Sequence, residues 1–203
     1  MATGPKPTRR TQDLVIGIDP SATGTGLVAL SLADGTLVDH KRLTPKNTGV
    51  ERLSSIGSWL TGWVGSLPGP VISSVMEGYS YGSQGTQAHK LGEVGGAIKL
   101  ALRMSLDLPA AYPTIVTPTQ VKKFCLGKGA GAKDLMLKGV LQRWGADFST
   151  SDEADAYTLA QIGRHILLPL TTIKPQQEVL DALRKADAIH AEMPVAMRAH
   201  YPI

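Results

Sequence analysis

LVIGIDPSATGTGLVALSLADGTLVDHKRL, residues 14–43, is the stretch that decides the fold. LVIGID (14–19) is a β-branched apolar run, which predicts a central strand. Gly24 and Gly26 place a turn after it, and GLVALSL (26–32) predicts a second strand. Asp34-Gly35 is a hairpin signal, and TLVDHKRL follows as a third strand. Three strands joined by tight turns predict an antiparallel meander.

Downstream, the pattern changes from strands to alternating helices and strands. VERLSSIGSWLTGWVGSL (50–67) has apolar residues at 50, 53, 56, 60, 63 and 64, a helical stripe that Pro68-Gly69-Pro70 ends. VISSVMEG (71–78) predicts a strand and YSYGSQGTQA (79–88) a polar loop. HKLGEVGGAIKLALRMSL (89–106) reads as a helix; its Gly95-Gly96 weakens a lone helix but permits another backbone to pack closely. TIVT (114–117) is a short strand before a helix starting at Pro118. GKGAGAKD (127–134) is a glycine loop, and a helix runs from Lys133 to Trp144. Thr150 and Glu153 fit a capping box that opens the helix in DEADAYTLAQIGRHIL. An amphipathic helix follows beyond Pro169. The order predicts an α/β fold, a mixed five-stranded sheet flanked by helices. Residues 1–12 read as a flexible basic arm, 13–168 as the main domain and 169–203 as a helical extension.

The 203 residues are 42% hydrophobic and 19% charged, which excludes a wholly disordered chain. A net charge of +4 permits nucleic-acid binding without requiring it. A single cysteine, Cys125, excludes a disulfide framework and a cysteine zinc site. It reads as a small buried hydrophobe. No apolar run approaches the roughly 18 residues of a membrane span. The first residues lack an apolar signal core, so a cytoplasmic protein is expected.

Four acids stand out. Asp19 and Glu77 each end an apolar strand, and Asp152 and Asp155 open a helix at spacing i, i+3. Pro20 prevents extension of the first ladder, so Asp19 faces the turn. Acids favour a helix N-terminus through its dipole, which accounts for Asp152 without chemistry. Asp155 is deeper and has no such explanation. Burying several carboxylates together is costly without a cation, and oxygen-only ligands point to magnesium or manganese. Glu153 is assigned to the capping box rather than to this set.

Lys122 and Lys133 flank the glycine loop, and a cation near a phosphate neutralises developing charge. Residues 120–143 also hold Lys123, Lys128, Lys138 and Arg143 against one acid, Asp134, a composition suited to a phosphate backbone. Tyr79 and Tyr81 follow Glu77 and could stack on bases. The plainer readings are solvated lysines and loop-anchoring rings. GIDPSATGTG alone also fits the phosphate-cradling turn of actin-like ATPases.

Taken in order, these motifs resemble the RuvC family of Holliday-junction resolvases over roughly residues 14–166. IGIDPSATGTG resembles its first strand, VMEGYSYG its second acidic block and HKLGEVGGAI its LGxxxG helix. TPTQVKKFCLGKGAGAKDLM resembles its lysine segment, and SDEADAYTLA its closing acidic helix. The chain departs from the family in its longer tail, and in having two tyrosines where one aromatic is usual. The divergence suggests a bacteriophage member, acting in the host cytoplasm.

The resemblance implies a ribonuclease H-like fold and a nuclease that cuts four-way junctions and other branched DNA. It implies Asp19, Glu77, Asp152 and Asp155 as ligands of two magnesium or manganese ions, with Asp19 bridging them. Lys122 and Lys133 would be active-site lysines, and Tyr79, Tyr81, Lys122, Lys123, Lys128 and Lys133 would contact DNA. A homodimer making paired nicks with 5′-phosphate ends follows from the same source. On the residues, the candidates for its surface are the helix at 50–66 and that at 89–106, the glycines at 95–96 favouring the latter. The competing readings are an actin-like ATP-dependent phosphotransferase and a junction-binding protein that does not cut.

Overall fold

In the computed structural model, which describes residues 12–21, 23–78, 86–130 and 133–192, the opening stretch forms the predicted meander. Of these, the side chains of 86–88, 133 and 188–192 lie outside the described set. Strands β1 (Leu14–Asp19), β2 (Thr25–Ser31) and β3 (Leu37–Leu43) pair antiparallel in sequence. Strand β4 (Val71–Glu77) joins the other side of β1 in parallel, and β5 (Thr114–Val116) pairs parallel with β4. The sheet order is β3-β2-β1-β4-β5, the mixed five-stranded sheet expected from the sequence.

Helices α1 (Gly49–Ser66) and α2 (Thr86–Ser105) cover one face. Ile16, Ile18, Leu27, Ala29 and Met76 meet Ile56, Leu60, Ile98 and Leu102 there. The other face carries α3 (Pro118–Leu126), α4 (Lys133–Trp144), α5 (Ser151–Leu167) and α6 (Lys174–Glu192). Its core combines Val28, Leu30, Val75 and Val116 with Phe124, Val140, Tyr157 and Leu159. Strand alternation explains the division, since successive residues of β1 point to opposite faces. Helix α6 buries Val179, Leu180 and Leu183 in this second core, so this helix packs on the domain.

Helix α5 is the spine of the second layer, and all of its residues 156–165 are buried. It lies unusually close to the sheet. A Cβ on Gly17 would sit 1.9 Å from the Ala156 carbonyl oxygen, and one on Gly26 2.1 Å from that of Asp152. Gly26 therefore has a packing role on a strand in addition to the turn read from sequence. At the far end, Arg164 Nε donates to the Leu32 carbonyl at 3.0 Å and its Nη2 to that of Ala33 at 3.3 Å, tying α5 to the β2–β3 hairpin.

Local signals set the helix ends. Thr117 caps α3 with a complete capping box to Gln120, Pro118 sits in the first turn, and Gly127 closes the helix at φ 79°. At α5 the box is half formed. Thr150 Oγ1 accepts from the Glu153 N–H at 3.4 Å, while the Glu153 carboxylate turns to the Thr150 hydroxyl. Helix α2 starts three residues earlier than the sequence pattern placed it. Cys125 is buried as expected, and burial pushes its thiol up to about 11.

Gly17→Ala and Gly26→Ala are expected to destabilise the protein by about 3 kcal/mol each, because a fixed backbone oxygen occupies the Cβ position. Gly65→Ala, whose Cβ meets nothing within 4 Å, is expected to leave the urea midpoint unchanged or slightly raised.

Candidate active site

Four carboxylates arrive at one place because two strands and a helix end there. In β1, Asp19 is the last residue; in β4, Glu77 is. The strands are parallel with Ile18 opposite Met76, so the two acids leave the sheet side by side, about 5 Å apart along the hydrogen-bonding direction. Asp19 is paired with Gly26, and the Asp152 carbonyl rests on that glycine. The missing Cβ thus brings the first turn of α5 over the end of β1, and Asp155 follows one turn later on the same helical face.

The result is a cleft of about 310 Å³ lined by Asp19, Glu77, Asp152 and Asp155, with Lys122, Ser21 and Pro118 among its other walls. Asp19 is only 8% exposed and Asp152 9%. The donor set is oxygen alone, which suits a hard divalent cation. Among the described residues no three acidic, His or Cys side chains close on a single point as they stand. Asp152 Oδ2 accepts from Arg42 Nε at 2.7 Å.

Of the basic residues singled out from sequence, Lys122 lines the cleft. Its neighbour Lys123 pairs instead with Glu178 of α6 at 2.6 Å. Lys128 is exposed beyond the end of α3. Arg143 Nε donates to the Cys125 carbonyl at 2.8 Å, closing the last turn of α3, and its guanidinium lies 5.7 Å from the Trp144 ring centroid. Tyr79, Tyr81 and the side chain of Lys133 lie outside the described residues.

Two residues not singled out from sequence contact the acidic turn of α5. His40 Nδ1 lies 2.7 Å from Glu153 Oε1, and Arg42 holds Asp152. Both lie on β3 at i, i+2, hence on one face of the strand. The alternation DHKR carried that signal, because Asp39 turns the other way to accept from Trp63 Nε1 at 2.8 Å. Glu153 is thereby kept for structure, as its capping assignment expected. Burial pushes its carboxyl up, but hydrogen bonds from Thr150, His40 and Ser149 outweigh that and hold it below the ordinary 4.5.

The β3-β2-β1-β4-β5 sheet flanked by helices, with four acids at one end of it, is a ribonuclease H-like fold. The chain is 33% identical to the crossover junction endodeoxyribonuclease RuvC of Anaeromyxobacter sp. (strain K), over 72% of this chain and 78% of that relative. It matches RuvC of Anaeromyxobacter dehalogenans (strain 2CP-1) at the same identity and coverage. No family model matches. Among solved structures, Thermus thermophilus RuvC aligns with TM-score 0.61 at 21% identity, covering 78% of this chain and 98% of that one. T. thermophilus RuvC in complex with a Holliday junction substrate aligns with TM-score 0.60 at 23% identity, covering 72% and 90%. The chain belongs to the RuvC family of crossover junction endodeoxyribonucleases.

Because Glu153 is held below 4.5 in the folded chain, its contribution to stability is present above that pH and lost as pH falls further. Glu153→Gln is therefore expected to lower stability at neutral pH and to flatten its decline in acid, as read by urea midpoints down the acid range.

Proposed function

We propose that this chain resolves four-way DNA junctions by divalent-metal-dependent hydrolysis in the cleft of four acids. The observation that carries the reading is the convergence of Asp19, Glu77, Asp152, Asp155 and Lys122 on one cleft from four separate elements. Asp19, Glu77, Asp152 and Asp155 would hold two magnesium or manganese ions. When bound, such ions supply Lewis acidity to phosphodiester hydrolysis. Lys122 would lie against the scissile phosphate and neutralise charge as it develops, with Lys133 as its counterpart across the glycine loop. Cleavage would leave 5′-phosphate ends. Tyr79, Tyr81, Lys123 and Lys128 remain proposed DNA contacts around that cleft.

Paired nicks on a two-fold substrate ask for a two-fold protein. An apolar face on α1 and α2 supports a homodimer. Val50 is 81% exposed, Leu100 62% and Met104 77%, and they line a groove together with Gly57, Gly62 and Gly96. Added methyl groups at Gly62 and Gly96 would meet nothing within 4 Å, which leaves room for a second backbone. Of the paired glycines read from sequence, Gly96 belongs to this groove. The nuclease would span 13–168, with 169–203 as an extension bracing α3 through Lys123 and Glu178. No described helix is long and apolar enough to cross a membrane.

Wild type is expected to nick a synthetic four-way junction in Mg²⁺, and Asp19→Asn to lose about a hundredfold or more of the rate. No nicking of junctions, flaps or forks by wild type would refute the nuclease reading, and full activity in Asp19→Asn would refute the site. Leu100→Glu is expected to convert the dimer to a monomer by light scattering. Junction affinity should fall steeply with salt, with a log–log slope of about −0.9 per phosphate contact.

A further inference from the structure

Arg42 belongs to β3, the edge strand farthest from Glu77, yet it reaches an acid of the cleft. Its Cα is in register with Gly26, which is in register with Asp19, so the three residues form one row across the sheet. The side chain crosses to α5 and donates Nε–H to Asp152 Oδ2 at 2.7 Å. Only one carboxylate oxygen is engaged in that bond. The Arg42 side chain is 34% exposed and that of Asp152 12%, so the contact is sheltered but not sealed.

A second feature shows that the guanidinium has a prepared seat. A Cβ on Gly24 would lie 2.6 Å from Arg42 Nη2, 2.7 Å from Cζ and 2.8 Å from Nε. The glycine in the β1–β2 turn thus leaves the space the group occupies. The adjacent His40–Glu153 contact pins the same helical turn from the same strand face, so the acidic turn cannot move without breaking both. A carboxylate that binds a metal through one oxygen is commonly fixed by a hydrogen bond to the other, and loss of such a partner weakens metal binding.

We propose that Arg42 is a positioning residue of the active site: seated over Gly24, it fixes the plane of the Asp152 carboxylate through Nε, leaving the second oxygen for a divalent cation. This rests on the metal-dependent reading of the cleft. Arg42 has two separable properties, a fixed donor and a positive charge. Alone, the charge would oppose a cation. The donor orients its ligand. Two substitutions divide them. Gln places its amide nitrogen on Cδ, as Arg places Nε, so Arg42→Gln keeps a donor at that bond and removes the charge. Arg42→Lys keeps the charge and removes the donor there.

The experiment is calorimetric titration of the DNA-free protein with Mn²⁺, for wild type, Arg42→Lys, Arg42→Gln and Gly24→Ala. Arg42→Lys and Gly24→Ala are expected to weaken Mn²⁺ binding about tenfold, and Arg42→Gln to bind at least as tightly as wild type. Junction nicking by Arg42→Lys should then need about tenfold more Mn²⁺ and recover its rate when the metal saturates. Thermal midpoints and circular dichroism identify any variant that has simply unfolded, and the others then decide. The proposal is overturned if Arg42→Lys matches wild type while Arg42→Gln tightens, since Arg42 would then act only as a competing charge. It is also overturned if Arg42→Gln weakens as much as Arg42→Lys. Absence of Mn²⁺ binding by wild type itself would instead refute the metal reading on which this one stands.

Discussion

The contact on which this structure depends is the close approach of α5 to β1 and β2, which becomes backbone against backbone at two glycines of the strands. Gly17 and Gly26 permit it, since a methyl at either would overlap a carbonyl oxygen of the helix. Gly163 extends the contact toward the other end, where a Cβ would meet Val15 and Val75 side chains at 2.6 and 2.9 Å. Close approach does more than fill the core. It sets the height of the first helical turn above the strand ends, and with it the reach from Asp152 and Asp155 to Asp19. A helix held farther out by side chains would leave the same acids on the same elements but on opposite walls of a wider cleft.

Charge is distributed around that contact by direction rather than by count. Residues 120–143 form one basic block in sequence, yet its members serve different ends. Lys122 and Lys123 are successive on a helix and so point about 100° apart. One lines the cleft and the other binds Glu178 on α6. Arg143 closes a helix end. The side chains that meet the acidic turn of α5 come from elsewhere, His40 and Arg42 of an edge strand. That strand also has an exposed ladder edge, and charged side chains on it discourage pairing with another chain. The two facing α5 make a specific contact as well.

Much of the architecture was legible from local pattern. The apolar runs at 14–19 and 26–32, the hairpin signal at Asp34-Gly35 and the helix start at Pro118 each act over a few residues, and each appears where the sequence placed it, although Thr117, read as the end of a strand, caps the helix instead. The four acids were legible for the same reason, since each marks the end of a strand or the start of a helix. The capping box of α5 was read whole but forms by half, because the Glu153 carboxylate turns to the Thr150 hydroxyl and to His40, 113 residues away. Gly17 read as part of a strand, although a glycine amid β-branched residues is itself a sign of a close backbone neighbour.

By itself, then, the sequence determined the elements, their order, and the acids that end on one side of the sheet. These follow from propensity, periodicity and turn chemistry, which are short-range. The tertiary structure alone decided which face each basic residue serves and which acids are held by what. Arg42 and Asp152 are 110 residues apart, and nothing local to either names the other. Their meeting follows from strand register and from the absent Cβ atoms at Gly24 and Gly26, and these act only once β2, β3 and α5 are packed together.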